Sequence, residues 1–255
     1  MQTFSYSYKV LISFSSPVRQ HAFKFRCRPA SNAWQRITDC TVSVSPEARL
    51  FGTADAFGNS VLCGYCHDSH TGLRLECSGR ADLSDYRLPE PAHDMYRNPS
   101  PLATADAAIE TWARSLPAAA TPADTACALA EAVHARLAYC PGCTSASTTA
   151  PEVFGLGRGV CQDFAHLMIA VCRTLGMPAR YVSGFVQGTG VSHAWVEVFA
   201  GDVWFGIDPT YNQLIAGGYI KLSHGRDASD CPLNRGIFIG TAMQTLNVEV
   251  IVNQI

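Results

Sequence analysis

Three residues far apart in this chain each sit in a local setting that suits a single mechanism. Cys161 opens a stretch in which Phe164, Leu167, Met168, Val171, Cys172 and Leu175 recur at helical spacing. The spacing sets Cys161 on the same inward face and also at the start of the helix. There the unpaired N–H groups and the positive end of the dipole favour a thiolate over a thiol. Gly155, Gly157 and Gly159 lead into it and leave room for the backbone to bend and a substrate to approach. Further on, His193–Phe199 and Asp202–Asp208 read as two strands with Ala200-Gly201 as a two-residue hairpin loop. That loop sets Phe199 against Asp202, Glu197 against Trp204 and His193 against Asp208. Directly opposed side chains have Cβ atoms ~4.5–5.5 Å apart, close enough for imidazole and carboxylate to meet. A loop of odd length would put them on opposite faces. Cysteine, histidine and aspartate then form a nucleophile, a base and the group that orients it.

Each residue alone has a blander reading. A cysteine on an apolar helix face is commonly core filler, a strand histidine a satisfied structural residue, and an aspartate before proline the start of a turn. The three together carry the argument.

The elements that must position them follow from periodicity. Phe4, Tyr6, Tyr8, Val10, Ile12 and Phe14 alternate with polar residues, Leu11 being the exception, as in a strand with one buried face. Phe23, Phe25 and Cys27 alternate again, as do Leu73, Leu75 and Cys77, and Asp55–Asn59 is a turn cluster for a hairpin. Past Pro89-Glu90-Pro91 the character changes. Residues 102–116 and 122–139 read as Ala-rich helices, the second opened by Thr121, Pro122 and Asp124 in helix-start order. A Ser/Thr/Gly-rich loop spans Pro141–Pro151, and the Cys161 helix runs to Leu175, closed by Gly176 and Pro178. Strands follow at Ala179–Val186, His193–Phe199 and Val203–Ile207, with a last one carrying Leu246, Val248, Val250 and Val252. The fold class is α+β: an N-terminal antiparallel β-rich domain at 1–88, then a catalytic domain at 89–255.

Composition narrows the function. The 255 residues are 47% hydrophobic and 16% charged with a formal net charge of -2, ample for a buried core and unlike a disordered chain. This balance gives no footprint for nucleic acid or an anionic membrane. The first residues lack the features of a signal peptide, and no run approaches the ~18 apolar residues of a membrane helix, so a cytoplasmic setting is expected. The eleven cysteines are expected to be mostly reduced and buried.

The residues now resemble a known family. Gly159-Val-Cys161-Gln-Asp-Phe-Ala-His166, Pro178-Ala-Arg-Tyr-Val-Ser-Gly184, Ser192-His193-Ala-Trp-Val-Glu197 and Asp208-Pro-Thr210 look like the transglutaminase-like cysteine enzymes. The bacterial branch with an N-terminal β-rich domain is similar also at Asp55, Phe57-Gly-Asn59, Gly225-Arg-Asp227, Asp230 and Gly236–Gly240. The resemblance covers nearly the whole chain. It implies a papain/transglutaminase-like core in which Cys161, His193 and Asp208 are catalytic. It implies cleavage or acyl transfer at peptide or glutamine-like amide bonds through a thioester, with a peptide, protein or small amide as substrate. A protease or amidase is the first expectation, a protein-glutamine transglutaminase the alternative, and a non-catalytic binding module a further one. The Cys161 N–H is a reasonable oxyanion donor at a helix start; Gln162, Tyr139 and Trp195 are candidates for the second.

Two cysteine pairs compete for attention. Cys63-Gly-Tyr-Cys66-His67 with His70, and Cys140-Pro-Gly-Cys143, could each supply zinc ligands. The pairs lie far apart in unlike elements, and the first is cramped for four ligands around one ion. No thioredoxin-like pattern surrounds the second. Gly155-Leu-Gly-Arg-Gly159 lacks a P-loop ending. No metal and no cofactor is therefore expected.

Overall fold

The structure is a computed structural model that describes residues 1–117 and 119–255. Its first strand is longer than the alternation suggests. β1 runs Gln2–Phe25 without a break, joining the two expected strands into one. It bends where its pairing slips between Ser13 and Val18 and between Arg19 and Ala22, with Gln20 at φ 48°. The first half pairs with β5 (His70–Leu83) and β15 (Gln244–Gln254). The second half pairs with β4 (Ser60–Cys66) and β14 (Asn234–Ile239). β2 (Gln35–Ser45) flanks β5, and β3 (Arg49–Ala54) forms the expected hairpin with β4 through Asp55. Both ends of the chain therefore build this eight-stranded sheet.

The helical segment is shorter than its alanine content suggests. α1 is Ala107–Ser115, begun by Asp106, whose carboxylate accepts from the Ile109 N–H, so residues 102–105 stay outside it. α2 is Pro122–Arg136. It stops early because Leu137 is extended and leads into β6 (Ala138–Tyr139), which pairs in parallel with β7 (Arg158–Gly159). The 141–151 loop ends in a helix the composition hid: α3, Ala150–Leu156, where Thr149 and Glu152 form a capping box and Gly157 closes the end at φ 66°.

α4 (Cys161–Thr174) is the central helix. Every residue from Asp163 to Arg173 is buried, so it is covered all round rather than along one stripe. It packs on a five-stranded sheet ordered β12-β11-β10-β8-β13. These strands are β8 (Ala179–Val186), β10 (His193–Ala200), β11 (Val203–Asp208), β12 (Gln213–Leu214) and β13 (Tyr219–Gly225). β9 (Gly188–Gly190) leaves that sheet to pair with β15.

Strand alternation divides the second sheet between two cores. Ala194, Val196, Val198 and Ile207 join Leu167, Met168 and Val171 of α4. Val182, Phe185, Trp195, Trp204 and Tyr219 join the aromatic face of β1, where the Tyr8 and Phe185 rings lie 5.0 Å apart. Within this seam Glu197, fully buried, is held by Arg180, by Lys221 Nζ at 2.7 Å and by the Tyr86 hydroxyl at 2.6 Å. Burial opposes its charge, but the two cations outweigh burial and hold its carboxyl well below the usual range.

Candidate active site

Cys161 is the first residue of α4, and the backbone before it is held open by Asp163. The Asp163 carboxylate accepts from the Val160 N–H at 2.7 Å and from the Thr144 hydroxyl at 2.6 Å, tying the 141–149 loop to the helix start. Gly159 must be glycine here, because a Cβ would stand 2.6 Å from the Asp163 side chain. As a first-turn residue Cys161 keeps an N–H with no intrahelical acceptor.

His193 begins β10, and Asp208 ends β11 beside it. The hairpin register differs from the expected one. Gly201 and Asp202 form the turn with φ 58° and 68°, and Ala200 pairs with Val203. A two-residue hairpin of this kind needs positive φ at both central positions, which glycine and aspartate adopt and alanine resists. The ladder moves by two residues, so His193 and Asp208 stay on one face but meet diagonally, with Nε2 and Oδ2 2.6 Å apart.

The aspartate is saturated with donors. Oδ1 accepts from the Thr210 N–H at 2.8 Å and the Tyr211 N–H at 3.3 Å, while Oδ2 also accepts the Tyr219 hydroxyl at 2.7 Å. Gln213 Nε2 donates in turn to that hydroxyl at 2.8 Å. The His193 ring stacks on Tyr211 with centroids 5.2 Å apart. Burial lowers the basicity of His193, but its bond to Asp208 and the neighbouring Cys161 sulfur, with their charges, overcome this and raise its pKa to about 9. With Nε2 committed to Asp208, the Nδ1 edge is the one left for the thiol.

Cys161 and His193 line an open cleft of about 980 Å³. Tyr139, Gln162 and Ser183 also line it, and the far wall is the 228–235 segment. Trp195 does not reach it: the ring is fully buried and its Nε1 donates to the Tyr86 hydroxyl at 3.0 Å. Its place as an oxyanion donor is corrected on that ground. Gln162 Nε2 donates to Ala146 O at 3.3 Å. Tyr219 and Tyr211 were not singled out by the sequence reading; they arrive through the β11–β13 connection, which carries no motif.

Among the described residues no three His, Cys, Asp or Glu side chains converge on a metal position. Cys63 and Cys66 lie three residues apart on β4 and so project to opposite faces. Cys143 Sγ turns to the Cys140 carbonyl at 2.9 Å, and all eleven cysteines are free. No described helix is long and apolar enough to cross a membrane.

A helix-start thiol and a strand-borne imidazole held by a carboxylate thus share one cleft on an α+β core. Residues 110–209 match the transglutaminase-like superfamily, and residues 4–82 match the bacterial transglutaminase-like N-terminal region. Both matched regions are transglutaminase-like, one the core and one the bacterial N-terminal region, and together they cover most of the chain. A candidate cysteine protease from Cytophaga hutchinsonii has a similar solved structure, with TM-score 0.84 over 99% of this chain and 90% of that one, at 23% identity. An uncharacterized protein of Mycobacterium leprae is 28% identical over 93% of both chains. An uncharacterized protein of Mycobacterium tuberculosis is 38% identical over 125 residues, which span 43% of this chain and 40% of that one.

Proposed function

We propose that the chain cleaves amide bonds through a thioester on Cys161, with His193 as acid and base and Asp208 as its orienting partner. The observation that carries this is the 2.6 Å bond from a fully buried Asp208 to His193, whose ring lines the same open cleft as the helix-start Cys161. The Cys161 sulfur attacks the amide carbon, and the carbonyl oxygen becomes an oxyanion beside the unpaired Cys161 N–H. As the C–N bond breaks, the imidazolium gives its proton to the leaving amine and a thioester remains. His193, now neutral, takes a proton from the incoming acceptor, which expels the thiolate and restores the pair.

Water is the acceptor in this reading, so the enzyme is a protease or amidase. The cleft is open to solvent at the half-buried thiol, and water reaches the thioester without a further channel. An amine in its place would give transglutaminase chemistry from the same intermediate.

The test is capture of the intermediate. Incubation with a library of peptide and glutamine amides, quenched in acid and mapped by mass spectrometry, should show an acyl adduct on Cys161. The adduct should be absent in Cys161→Ala. Decay unaffected by added primary amines supports hydrolysis, and conversion to amide product supports the transferase. No adduct and no turnover with any member would point to the binding-module reading.

A further inference from the structure

The outer end of the cleft carries a feature that cleavage itself does not use. Arg235, on β14, lines the catalytic cleft and also an adjoining open cavity of about 710 Å³. In the β1–β14 ladder Arg235 stands directly opposite Lys24. Two cations face to face across a strand pair repel one another and normally recruit a carboxylate between them. Here neither has one: among the described residues Lys24 and Arg235 enter no ion pair, and no Asp or Glu lines either cavity. Both side chains are exposed.

The register extends the feature across the sheet. Lys24 and Arg235 share a row with Phe51, which is 59% exposed. The next row brings together Arg49, Tyr65 and Ile237, the last 75% exposed. The face that continues the cleft is thus cationic and apolar at once, on a chain whose net charge is negative. Aside from the catalytic imidazole, Arg235 is the one ionisable cation on the described lining of the cleft.

We propose that Arg235, with Lys24 beside it, binds a carboxylate of the substrate, so that the cleft selects amides carrying an acidic group near the scissile bond and an apolar side chain beyond it. This rests on the catalytic reading of Cys161 and names the substrate class for that site. An acidic polypeptide segment fits the arrangement: the carboxylate supplies the charge missing between the two cations, and the Phe51, Tyr65 and Ile237 surface receives the neighbouring apolar residue.

The test uses the intact protein and two alkylating reagents of nearly equal size, iodoacetate and neutral iodoacetamide. Their rate ratio at Cys161, read by peptide mapping, cancels any change in the thiol itself. In the unaltered protein the anionic reagent should be favoured. In Arg235→Gln the ratio should fall about two- to fivefold, the scale of one screened charge acting across the cleft. It should fall further in the Lys24→Gln/Arg235→Gln pair and stay high in Arg235→Lys. Arg114→Gln, an exposed cation on α1 outside the cleft lining, controls for net charge. An unchanged ratio in Arg235→Gln overturns the proposal, as does an equal fall in Arg114→Gln. A Cys161 no faster than the other cysteines with both reagents contradicts the catalytic reading, and this inference with it.

Discussion

His193 and Asp208 meet along a diagonal of the β10–β11 ladder. Val196 pairs with Ile207, so the register carried to its end sets His193 against Thr210, two residues beyond the aspartate. The 2.6 Å contact therefore depends on where the Asp208 carboxylate is held, and the Thr210 and Tyr211 N–H groups hold it. Asp208→Asn keeps an acceptor for those N–H groups but presents an amide to the imidazole. Amide turnover should fall by about 10³- to 10⁴-fold with little change in Tm, the size of effect seen when a triad carboxylate becomes an amide. Unchanged turnover would remove Asp208 from the mechanism.

Tyr219 completes the same carboxylate. Tyr219→Phe keeps the ring against Trp195, 5.3 Å between centroids, and deletes only the hydroxyl bonded to Asp208. One hydrogen bond to a charged group contributes about 1.5–3 kcal/mol, so kcat should drop roughly ten- to a hundredfold with KM little altered. On this account Tyr219 acts as a positioning residue, so its loss should also shift the pH profile of kcat. A change in KM alone would argue for a role in substrate binding instead.

The His193 pair has a pH signature in stability. Its pKa is raised from 6.5 to about 9 in the folded chain, so folding takes up a proton between those values. The stabilisation is fully present below pH 6.5 and is lost as pH rises through about 9. The amount is on the order of 3 kcal/mol. Urea unfolding of the unaltered protein and of His193→Gln at pH 6 and pH 10 should show a stability gap that closes at the higher pH. A gap that widens would reverse the sign of the coupling.

Glu197 lies behind the site, between two cations in the seam joining the two sheets. Glu197→Gln leaves Arg180 and Lys221 buried without their shared counter-charge and should cost about 3–5 kcal/mol, measured by denaturant unfolding. A loss under 1 kcal/mol would mean that Glu90, 2.9 Å from Arg180, can replace it.

The parts of this molecule that were legible in the sequence are those where one local rule dominates. The Cys161 helix announced itself by its apolar spacing, and β8, β10 and β11 by their runs between turn residues. His193 and Asp208 fell on one face because parity survives a two-residue slip. The slip itself came from turn chemistry: Ala200-Gly201 has the right length, but only Gly201-Asp202 tolerates positive φ at both positions. α3 was hidden by its Ser/Thr/Gly-rich approach, though Thr149 and Glu152 carried its capping signal. Tyr219 and Arg235 could not be read at all. Their positions arise from long-range pairing of β13 and β14 with β8 and β1, which no local pattern encodes.

The central claim is that His193 activates the Cys161 thiol, and alkylation against pH tests it most directly. An ordinary thiol has a pKa near ~8.5 and is almost entirely protonated at pH 6. Iodoacetamide labelling mapped at pH 6 should modify Cys161 at least about a hundredfold faster than the other ten cysteines, and His193→Ala should abolish the difference. Labelling of Cys161 at the same rate as the rest, or unchanged in His193→Ala, would contradict the account.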